Sequence, residues 1–400
     1  MTATTRRITG ASIALAATLT LSGPLVLSAS AEPVSNPAQS AAHYLQQQLT
    51  DGGNHFSVES DFGPYVDYGV TADAILALAA AGTGQAGARP ATAYLAGNVV
   101  GYTGFGDPDE VYAGPVAKLL NVAVVQGVNP RDFGGTDLVA TLEALEVESG
   151  RFSDDSEFGD YSNTFGQSLA LIGLKRAGVN PSAASIDFLG EQQCPGGGFQ
   201  LYMDDAPCTD DANSDPDATA LAVQALIAVD GGSARINAGL DYLSSKQGTD
   251  GGVGGGAPQT APNANSTGLA GQAFLAGGRT AQAALASDYI VGLQYGCESP
   301  EDLRGGIAYD PAALAEQKAK GADAVPVDQD RRSTTQALLA LAGTPLYAVT
   351  ATGASDTAPS LSCETTSPLP PVTTPPVVGP VIETDIPQSL LGLGARGLLR

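Results

Sequence analysis

One kind of segment recurs along the chain: a helix of small and aliphatic residues that follows a polar, acidic start. Its clearest copy runs from Asp215 to Ile227, where an aspartate can cap the helix and Pro216 stands where a missing N–H costs nothing. No charged residue follows Asp217 before Asp230. A helix that is apolar on every side must be buried all round. The recurrence therefore predicts an inner layer of helices enclosed by other elements.

A second motif precedes each buried helix: a helix that ends in glutamine and leads into a glycine turn with an apolar or aromatic residue. In the fourth copy these are Gln193 and the turn Gly197-Gly198-Phe199. The two-part unit occurs six times, with a degenerate second copy and a period of about fifty residues. Five inner helices carry a corresponding threonine: Thr71, Thr164, Thr219, Thr267 and Thr334.

These repeats predict the fold class. Two helices per unit indicate an array in which each unit buries its apolar face on its neighbours. Because the inner helices are apolar all round, we predict an all-α fold, a single α/α toroid of six helical hairpins in two concentric layers. An open, armadillo-like array of the same hairpins is the alternative.

The two ends of the chain differ from this pattern. Residues 1–31 combine Arg6-Arg7, an apolar run and alanines at positions 29 and 31, which predicts a secretory signal peptide cleaved after Ala31. A retained membrane anchor is the alternative, but Gly23-Pro24 interrupts the apolar run. We place the toroid at residues 32–348 and a Pro/Thr-rich disordered tail at 349–400. The mature protein is expected to be secreted, extracellular or cell-wall-associated, with no integral membrane span.

The net charge of the chain argues against two classes of binding partner. Lysine and arginine total 18 against 42 acidic residues, which gives −24 at pH 7. Removal of residues 1–31 takes away two arginines and no acid, so the mature chain carries −26. Such a surface repels nucleic acid and anionic membranes, and we expect neither as a partner.

The cysteines indicate disulfides and no metal site. Four cysteines in an exported chain allow three connectivities. Cys194 and Cys208 flank one glycine- and aspartate-rich loop, so we pair them, which leaves Cys297 with Cys363. No zinc-type cysteine spacing occurs, and the acidic loop 204–211 does not have the ligand spacing of a calcium loop. We therefore predict no metal.

The glutamine–glycine turn carries a resemblance to a known superfamily. Residues Gln193 to Phe199, after Phe188-Leu189, resemble the turn of the α/α toroids built from prenyltransferase/squalene-cyclase repeats, and Gln247 to Val253 is a weaker match. The resemblance spans about residues 36–345. It implies a toroid but leaves function open, because this fold hosts protein prenyltransferases, terpene cyclases and the toroid of cobalamin carriers.

Each of these activities can be compared with the residues present. Protein prenyltransferases bind zinc through Asp, Cys and His, a set that cannot be assembled here. Class II terpene cyclases use an Asp-Xaa-Asp-Asp-Thr-Ala motif, which residues Asp215 to Ala220 match except at Ala218. The resemblance implies Asp217 as general acid with Asp215 beside it; helix capping by these carboxylates is the alternative that we favour. Cobalamin is a possible ligand, although the second jaw of such carriers is not found.

In a toroid, the N-terminal ends of the inner helices converge on one rim. We expect that rim to bind a small ligand, corrinoid or isoprenoid-like, or a cell-surface partner. The expected ligand-binding residues are Tyr68, Tyr112, Tyr161, Asn163, Asp215, Asp217, Asn265, Asp330 and Arg331. The alternative is that each simply caps its own helix. We predict a binding protein, with a terpenoid cyclase or lyase using Asp217, or a non-catalytic surface scaffold, as alternatives.

Overall fold

The computed structural model describes residues 36–363 except Phe62. The predicted signal peptide and the tail beyond residue 363 lie outside this part of the chain. Within it, no helix is long and apolar enough to cross a membrane.

Six helical hairpins form the fold, as the repeats predict. Twelve of the fourteen described α-helices pair, outer helix first, as α1 (Pro37–Asp51) with α2 (Tyr68–Ala80), α3 (Gln85–Ala96) with α5 (Ala113–Gln126), α6 (Leu138–Ala144) with α7 (Thr164–Arg176), α8 (Ala183–Glu191) with α9 (Pro216–Ala228), α10 (Ser233–Lys246) with α11 (Ala264–Ala276), and α12 (Thr280–Val291) with α14 (Asp328–Leu341). Two shorter insertions are helical as well, α4 (Val99–Thr103) in the second unit and α13 (Pro311–Lys320) in the sixth.

The inner helices close into a ring. In the order α2, α5, α7, α9, α11 and α14, each packs against the next, and α14 returns to α2. The open array is therefore excluded, and the fold is a single α/α toroid. The inner helices are buried on all sides: in α9, every residue from Ala218 to Leu226 is buried. This all-round burial explains why their sequences are aliphatic without an amphipathic stripe.

The repeated glutamine joins one unit to the next at three junctions, from the fourth unit to the first. Gln193 Nε2 donates both to Gly197 O of its own turn and to Arg235 O of the following outer helix, each at 2.9 Å. Gln247 bridges its turn to α12 in the same way. Gln294 donates to Gly305 O at 2.9 Å and to Pro37 O at 2.8 Å, so the sixth unit is bonded to the first. One side-chain amide per junction thus satisfies two carbonyl groups that would otherwise be left open.

The repeated threonine anchors the turn on the inner helix. Thr219 Oγ1 accepts from the Phe199 amide at 2.8 Å, and Thr71, Thr267 and Thr334 accept from the equivalent turn residues at 2.9 to 3.0 Å. At the ring-closing junction, Gly305 has φ of 87°, and a Cβ there would lie 2.2 Å from Ser40 O. Only glycine fits that approach.

Two short hairpins lead into inner helices. Strands β1 (Phe56–Val58) and β2 (Tyr65–Asp67) pair antiparallel before α2, and β3 (Phe199–Gln200) and β4 (Ser214–Asp215) pair antiparallel before α9. The second hairpin fixes the backbone of Asp215 at the start of α9. The predicted Cys194–Cys208 disulfide ties the loop between its strands to the turn before β3, with the two Cα atoms 4.7 Å apart. Cys297 and Cys363 are disulfide-bonded as well.

The folded body continues beyond residue 348, where we expected it to end. Val349 and Ala358 are fully buried, and Ser355 O accepts from the Gln85 amide at 3.1 Å. Asp356 O accepts from Ala86 in the same way, at 2.9 Å. Ser355 and Asp356 therefore satisfy two of the open amides in the first turn of α3. The sequence of this segment has no helical period, and backbone pairing of this kind leaves no pattern in it.

Candidate functional site

A small pocket lies on the toroid axis, between the inner helices. Its volume is about 280 Å³. Six leucines dominate its wall: Leu76, Leu169, Leu221, Leu269, Leu339 and Leu346. Leu346 belongs to the segment after α14 and is fixed by its amide, which donates to Gln224 Oε1 at 2.9 Å. We call this cavity the inner pocket.

A larger polar chamber adjoins the inner pocket. Its volume is about 810 Å³, and it is bordered by the starts of α9 and α11, the β3–β4 loop and the loop 255–259. Phe165, Leu269 and Gln336 line both cavities, so the two adjoin each other at these three side chains. We call the second cavity the outer chamber, and the pair the funnel. Its polarity falls from the mouth inwards, which suits a ligand with a polar and an apolar end.

Asp215 and Asp217 lie two residues apart on the wall of the outer chamber and have different environments. Asp215 caps α9, because its Oδ1 accepts from the Ala218 amide at 2.8 Å. Asp217 is in the first turn and does not cap the helix; its Oδ1 is buried without a hydrogen-bond partner among the described residues. The capping that we favoured for both carboxylates thus holds for Asp215 and not for Asp217.

The Asp217 carboxyl holds its proton more tightly than an ordinary aspartate. Burial raises its pKa from 3.8 to about 6, a hydrogen bond from Ser266 opposes the shift, and the charge of Asp215 adds to it. At mildly acid pH the group is therefore partly protonated and able to donate. A carboxyl tuned in this way, on a cavity wall, is characteristic of functional sites.

Two other polar atoms of the outer chamber are buried without a partner in the described chain. They are Asn265 Oδ1 and Ser214 Oγ. Asn265 holds the second position of α11, as Asp217 does in α9, while the cap of α11 is Asn263, which accepts from the Ser266 amide at 2.9 Å. Unpaired buried polar groups are costly in a closed interior. In a cavity wall they are groups available to a ligand.

A glycine loop packs against both aspartates. A Cβ on Gly256 would lie 2.0 Å from Asp215 Oδ2, and one on Gly255 would lie 3.0 Å from Asp217 Oδ2. Larger residues would push this loop off α9 or force the carboxylates to move. The two glycines therefore allow the loop to shield Asp217 from water, which sustains its raised pKa.

The remaining expected ligand residues are distributed over several places. Asn163 lines the inner pocket and caps α7 by accepting from Phe165 and Gly166. Tyr68 lies instead in a separate aromatic cleft of about 530 Å³ with Tyr65, Tyr102 and Phe105. Tyr112 bonds Ser156, and Tyr161 is 65 % exposed with its hydroxyl on Phe158 O. Neither Tyr112 nor Tyr161 lines the funnel.

Asp330 and Arg331 are also outside the funnel. Asp330 is buried and accepts from the Tyr295 hydroxyl at 2.8 Å and from the Val327 amide at 3.1 Å. Arg331 stacks over the Phe56 ring at 5.7 Å. Their interactions are with residues of neighbouring elements, so the rim is not one continuous binding ring.

Several residues of the funnel were not among the sequence candidates. The loop glycines, Tyr309, Gln336 and the charged residues Asp73 and Lys118 all line it. Gln336 could have been noticed as a polar residue about two turns inside a buried helix. Asp73 and Lys118 carried a comparable signal, since each interrupts an otherwise aliphatic inner helix. Among residues 36–61 and 63–363, no group of His, Cys, Asp and Glu is arranged to hold a metal ion.

Comparison with known proteins supports the fold and leaves the activity open. No protein-family profile matches the sequence, and no curated protein matches it significantly. Solved structures do match. A protein from Actinoplanes aligns with TM-score 0.53 and 16 % identity, over 76 % of this chain and 99 % of that one.

Two enzymes are among the structural neighbours. The type II terpene cyclase MstE from Scytonema aligns with TM-score 0.52 and 13 % identity, over 76 % of this chain and 98 % of its own. A glycosidase aligns with TM-score 0.51 and 14 % identity, over 77 % and 98 %. At such identities the likeness establishes the toroid fold alone.

Proposed function

We propose that the protein binds an amphipathic small molecule, with its polar head in the outer chamber and an isoprenoid-like apolar chain in the inner pocket. The observation that carries this proposal is that the apolar inner pocket and the polar outer chamber adjoin at Phe165, Leu269 and Gln336. A leucine-lined wall gains free energy by removing apolar surface from water, at about 25 cal/mol per Å². The same wall offers few hydrogen-bonding groups to a wholly polar ligand.

The polar head finds hydrogen-bonding groups in the outer chamber. Asn265 Oδ1 accepts, Ser214 Oγ donates or accepts, and Asp217 donates when protonated. The acidic lining disfavours anionic heads, since Asp215 and Asp217 would repel them. We therefore expect a neutral head, such as a hydroxyl, an amide or a sugar, in preference to a diphosphate. A corrinoid is the alternative ligand, and cobalamin represents it in the titration.

A second function, proton donation by Asp217, is favoured by one specific observation. Its carboxyl combines a pKa of about 6 with a buried oxygen that has no partner in the described chain, on the wall of a cavity. In an acid-initiated cyclisation the carboxyl proton would add to an alkene carbon, and a later loss of a proton would make the product an isomer of the substrate. The Phe165 ring is the aromatic face at the junction of the two cavities that could stabilise the cation.

Hydrolysis of a glycosidic bond would use the same acid. Asp217 would protonate the leaving oxygen, with Asp215 as the second carboxylate of the chamber. Two structural neighbours are the reason that both reactions are proposed. A variant of MstE has been solved in complex with geranylgeranyl dihydroxybenzoate as substrate, and a variant of the glycosidase in complex with glucose. Product analysis separates the two, because cyclisation conserves mass and hydrolysis adds water.

The binding proposal is tested by titrating the protein, purified from culture medium, with farnesol, decyl β-thioglucoside, geranylgeranyl diphosphate and cobalamin. Isothermal calorimetry and native mass spectrometry report the affinity and the stoichiometry. We expect one equivalent of a neutral amphiphile to bind, and Leu269→Trp, which narrows the junction of the cavities, to weaken that binding at least tenfold.

Leu285→Trp is the matched control, because Leu285 is an exposed leucine on outer helix α12. Equal affinities in both variants, or no binding of any neutral amphiphile, would contradict the proposal. Cobalamin as the single ligand would favour a carrier. Conversion of geranylgeraniol to an isomer that Asp217→Asn abolishes would establish catalysis. We further propose that the protein is secreted, on the strength of its signal-like N-terminus and its disulfides.

A further inference from the structure

An ion pair interrupts the leucine wall of the inner pocket. Lys118 of α5 and Asp73 of α2 both line the cavity, and Lys118 Nζ lies 2.8 Å from Asp73 Oδ1. Their side chains are 22 % and 20 % exposed, so neither is sealed in the packing between the helices. Among the residues that the structure describes, it is the only pair of opposite charges on the wall of this pocket.

Stability alone does not account for this pair. Withdrawing two charges from water is costly, and replacing a buried pair by apolar residues is often neutral or stabilising. Two leucines would continue the wall that the other inner helices already form. Several other ion pairs of the described chain, such as Lys318 with Glu298, lie on the exposed surface, where that cost is small. Arg332 with Asp67 is about as buried as the pocket pair, but it does not line the inner pocket.

The chemistry of the pair defines what it can recognise. An ammonium group has three donors, of which Asp73 takes one, and the carboxylate keeps free acceptor sites. Burial alone would lower the pKa of Lys118, but the Asp73 carboxylate and the neighbouring Tyr102 more than offset this and raise it. Lys118 is therefore a donor and not a nucleophile. Since the pair is neutral as a whole, it attracts neither anions nor cations strongly.

A hydroxyl group matches this arrangement, because one oxygen can accept from Lys118 and donate to Asp73. We infer that the inner pocket recognises a hydroxyl group on the apolar end of the ligand, held between Lys118 and Asp73. The inference rests on the proposed function, in which that apolar end enters the pocket. The preferred ligand is then an amphiphile that is hydroxylated at the end remote from its polar head.

Three probes with one bulky head test this inference. Decyl, 10-hydroxydecyl and 10-methoxydecyl β-thioglucoside share a head too polar for the leucine wall, so the chain end is the part that reaches the pair. Calorimetric titration of the full-length protein, below micelle-forming concentrations, gives their affinities. We expect the hydroxyl probe to bind about tenfold more tightly than the decyl probe, the gain typical of hydrogen bonds to charged groups. The methoxy probe cannot donate to Asp73 and should not share that gain.

A double variant then locates the effect. Lys118→Leu with Asp73→Leu leaves no unpaired charge and should abolish the preference for the hydroxyl probe. Lys318→Leu with Glu298→Leu removes a surface pair of 3.2 Å and should leave the preference unchanged. If the pocket variant does not fold, the comparison of the hydroxyl and methoxy probes on the unmodified protein decides.

The outcomes separate the inference from the function on which it rests. Equal affinities for the three probes would overturn the hydroxyl inference and leave the amphiphile proposal standing. A preference that persists in the folded pocket variant would overturn it too. No binding of any probe would overturn both.

Discussion

Two neighbouring parts of the rim look alike in sequence and differ in the structure. The open mouth comprises Asp215, Asp217, Asn263 and Asn265, at the starts of α9 and α11. The paired mouth comprises Asp67, Asp328, Asp330, Arg331 and Arg332, at the starts of α2 and α14. Both are acidic and both precede aliphatic inner helices.

In the paired mouth, two of the three carboxylates lie beside a cation and the third is hydrogen-bonded. Arg332 forms ion pairs with Asp67 and with Asp328, the latter at 2.6 Å, and Asp330 is bonded by Tyr295. In the open mouth, no salt bridge to Asp215 or Asp217 is found in the described chain. Burial raises the pKa of Asp217 to about 6, and it also raises the pKa of Asp330 in the paired mouth. The comparison shows that an acidic residue on the rim is not in itself a sign of a site. The sign is a carboxylate that lies on a cavity wall and that the fold leaves without a counter-charge.

The largest effect is expected from breaking the paired mouth. Arg332→Met would leave two carboxylates without their cation, at a site where the Asp67 side chain is only 13 % exposed. We expect a loss of about 3 kcal/mol in the free energy of unfolding, between the values for surface and fully buried pairs. Urea denaturation followed by helical circular dichroism measures it. Arg332→Lys keeps the charge and should lose about half as much free energy of unfolding. An unchanged free energy of unfolding in the Met variant would show that the pairing does not stabilise the protein.

Removing the unpaired charge of the open mouth should have the opposite sign. The pKa of Asp217 is about 6 in the folded protein against 3.8 for an ordinary aspartate, so the folded state binds the proton more tightly. Its stabilising contribution is complete below about pH 4 and is lost as the pH rises through about 6. Asp217→Asn should therefore raise the free energy of unfolding by about 2 kcal/mol at pH 8 and by little at pH 4.

Denaturation curves of both proteins across pH 4 to 8 test this prediction, because the difference between them isolates Asp217 from other titrating groups. A stability gain that is the same at all pH values would contradict it. A loss at pH 8 would mean that the charge of Asp217 is stabilised by an interaction not seen here.

The smallest effect is expected from the cap itself. Asp215→Ala removes the acceptor for the Ala218 amide and should cost about 1 kcal/mol. Asp215→Asn keeps an acceptor and should cost only a fraction of that. Both variants remove the charge that helps to raise the pKa of Asp217, so both should shift the pH dependence of stability to lower pH. An unshifted profile would show that the two carboxylates do not interact.

Much of the fold was predictable from local sequence patterns. The all-round aliphatic helices indicated an inner layer, and the glutamine–glycine turn and the threonine each make the same bond in successive units. Such features repeat because each unit solves the same packing problem. The extension to residue 361 was not predictable, since it rests on backbone bonds to α3 and on single side-chain bonds, such as Ser355 with Thr83 and Asp356 with Arg89, that form no periodic pattern.

The site was predictable only in part. Asp217 was found through a motif, but the same motif suggested capping, and the sequence cannot show that Asp215 alone takes that role. Tyr112, Tyr161, Asp330 and Arg331 were expected at the binding rim, yet none lines the funnel. Whether a rim residue faces the funnel depends on the rotation of its helix about its axis and on the loops that cover it. A short stretch of sequence determines neither of these.

The sequence by itself determined the unit, its number of copies and the inner position of the aliphatic helices, because these follow from periodicity and burial along a short stretch of chain. The tertiary structure decided which charges are neutralised. Arg332 forms an ion pair with Asp67, which is 265 residues away in the sequence. Lys118 of the second hairpin pairs with Asp73 of the first. Asp217 has no such cationic partner in the described chain. Closing the ring brings distant helices side by side, and only then is it settled which carboxylate meets a cation and which faces an open cavity.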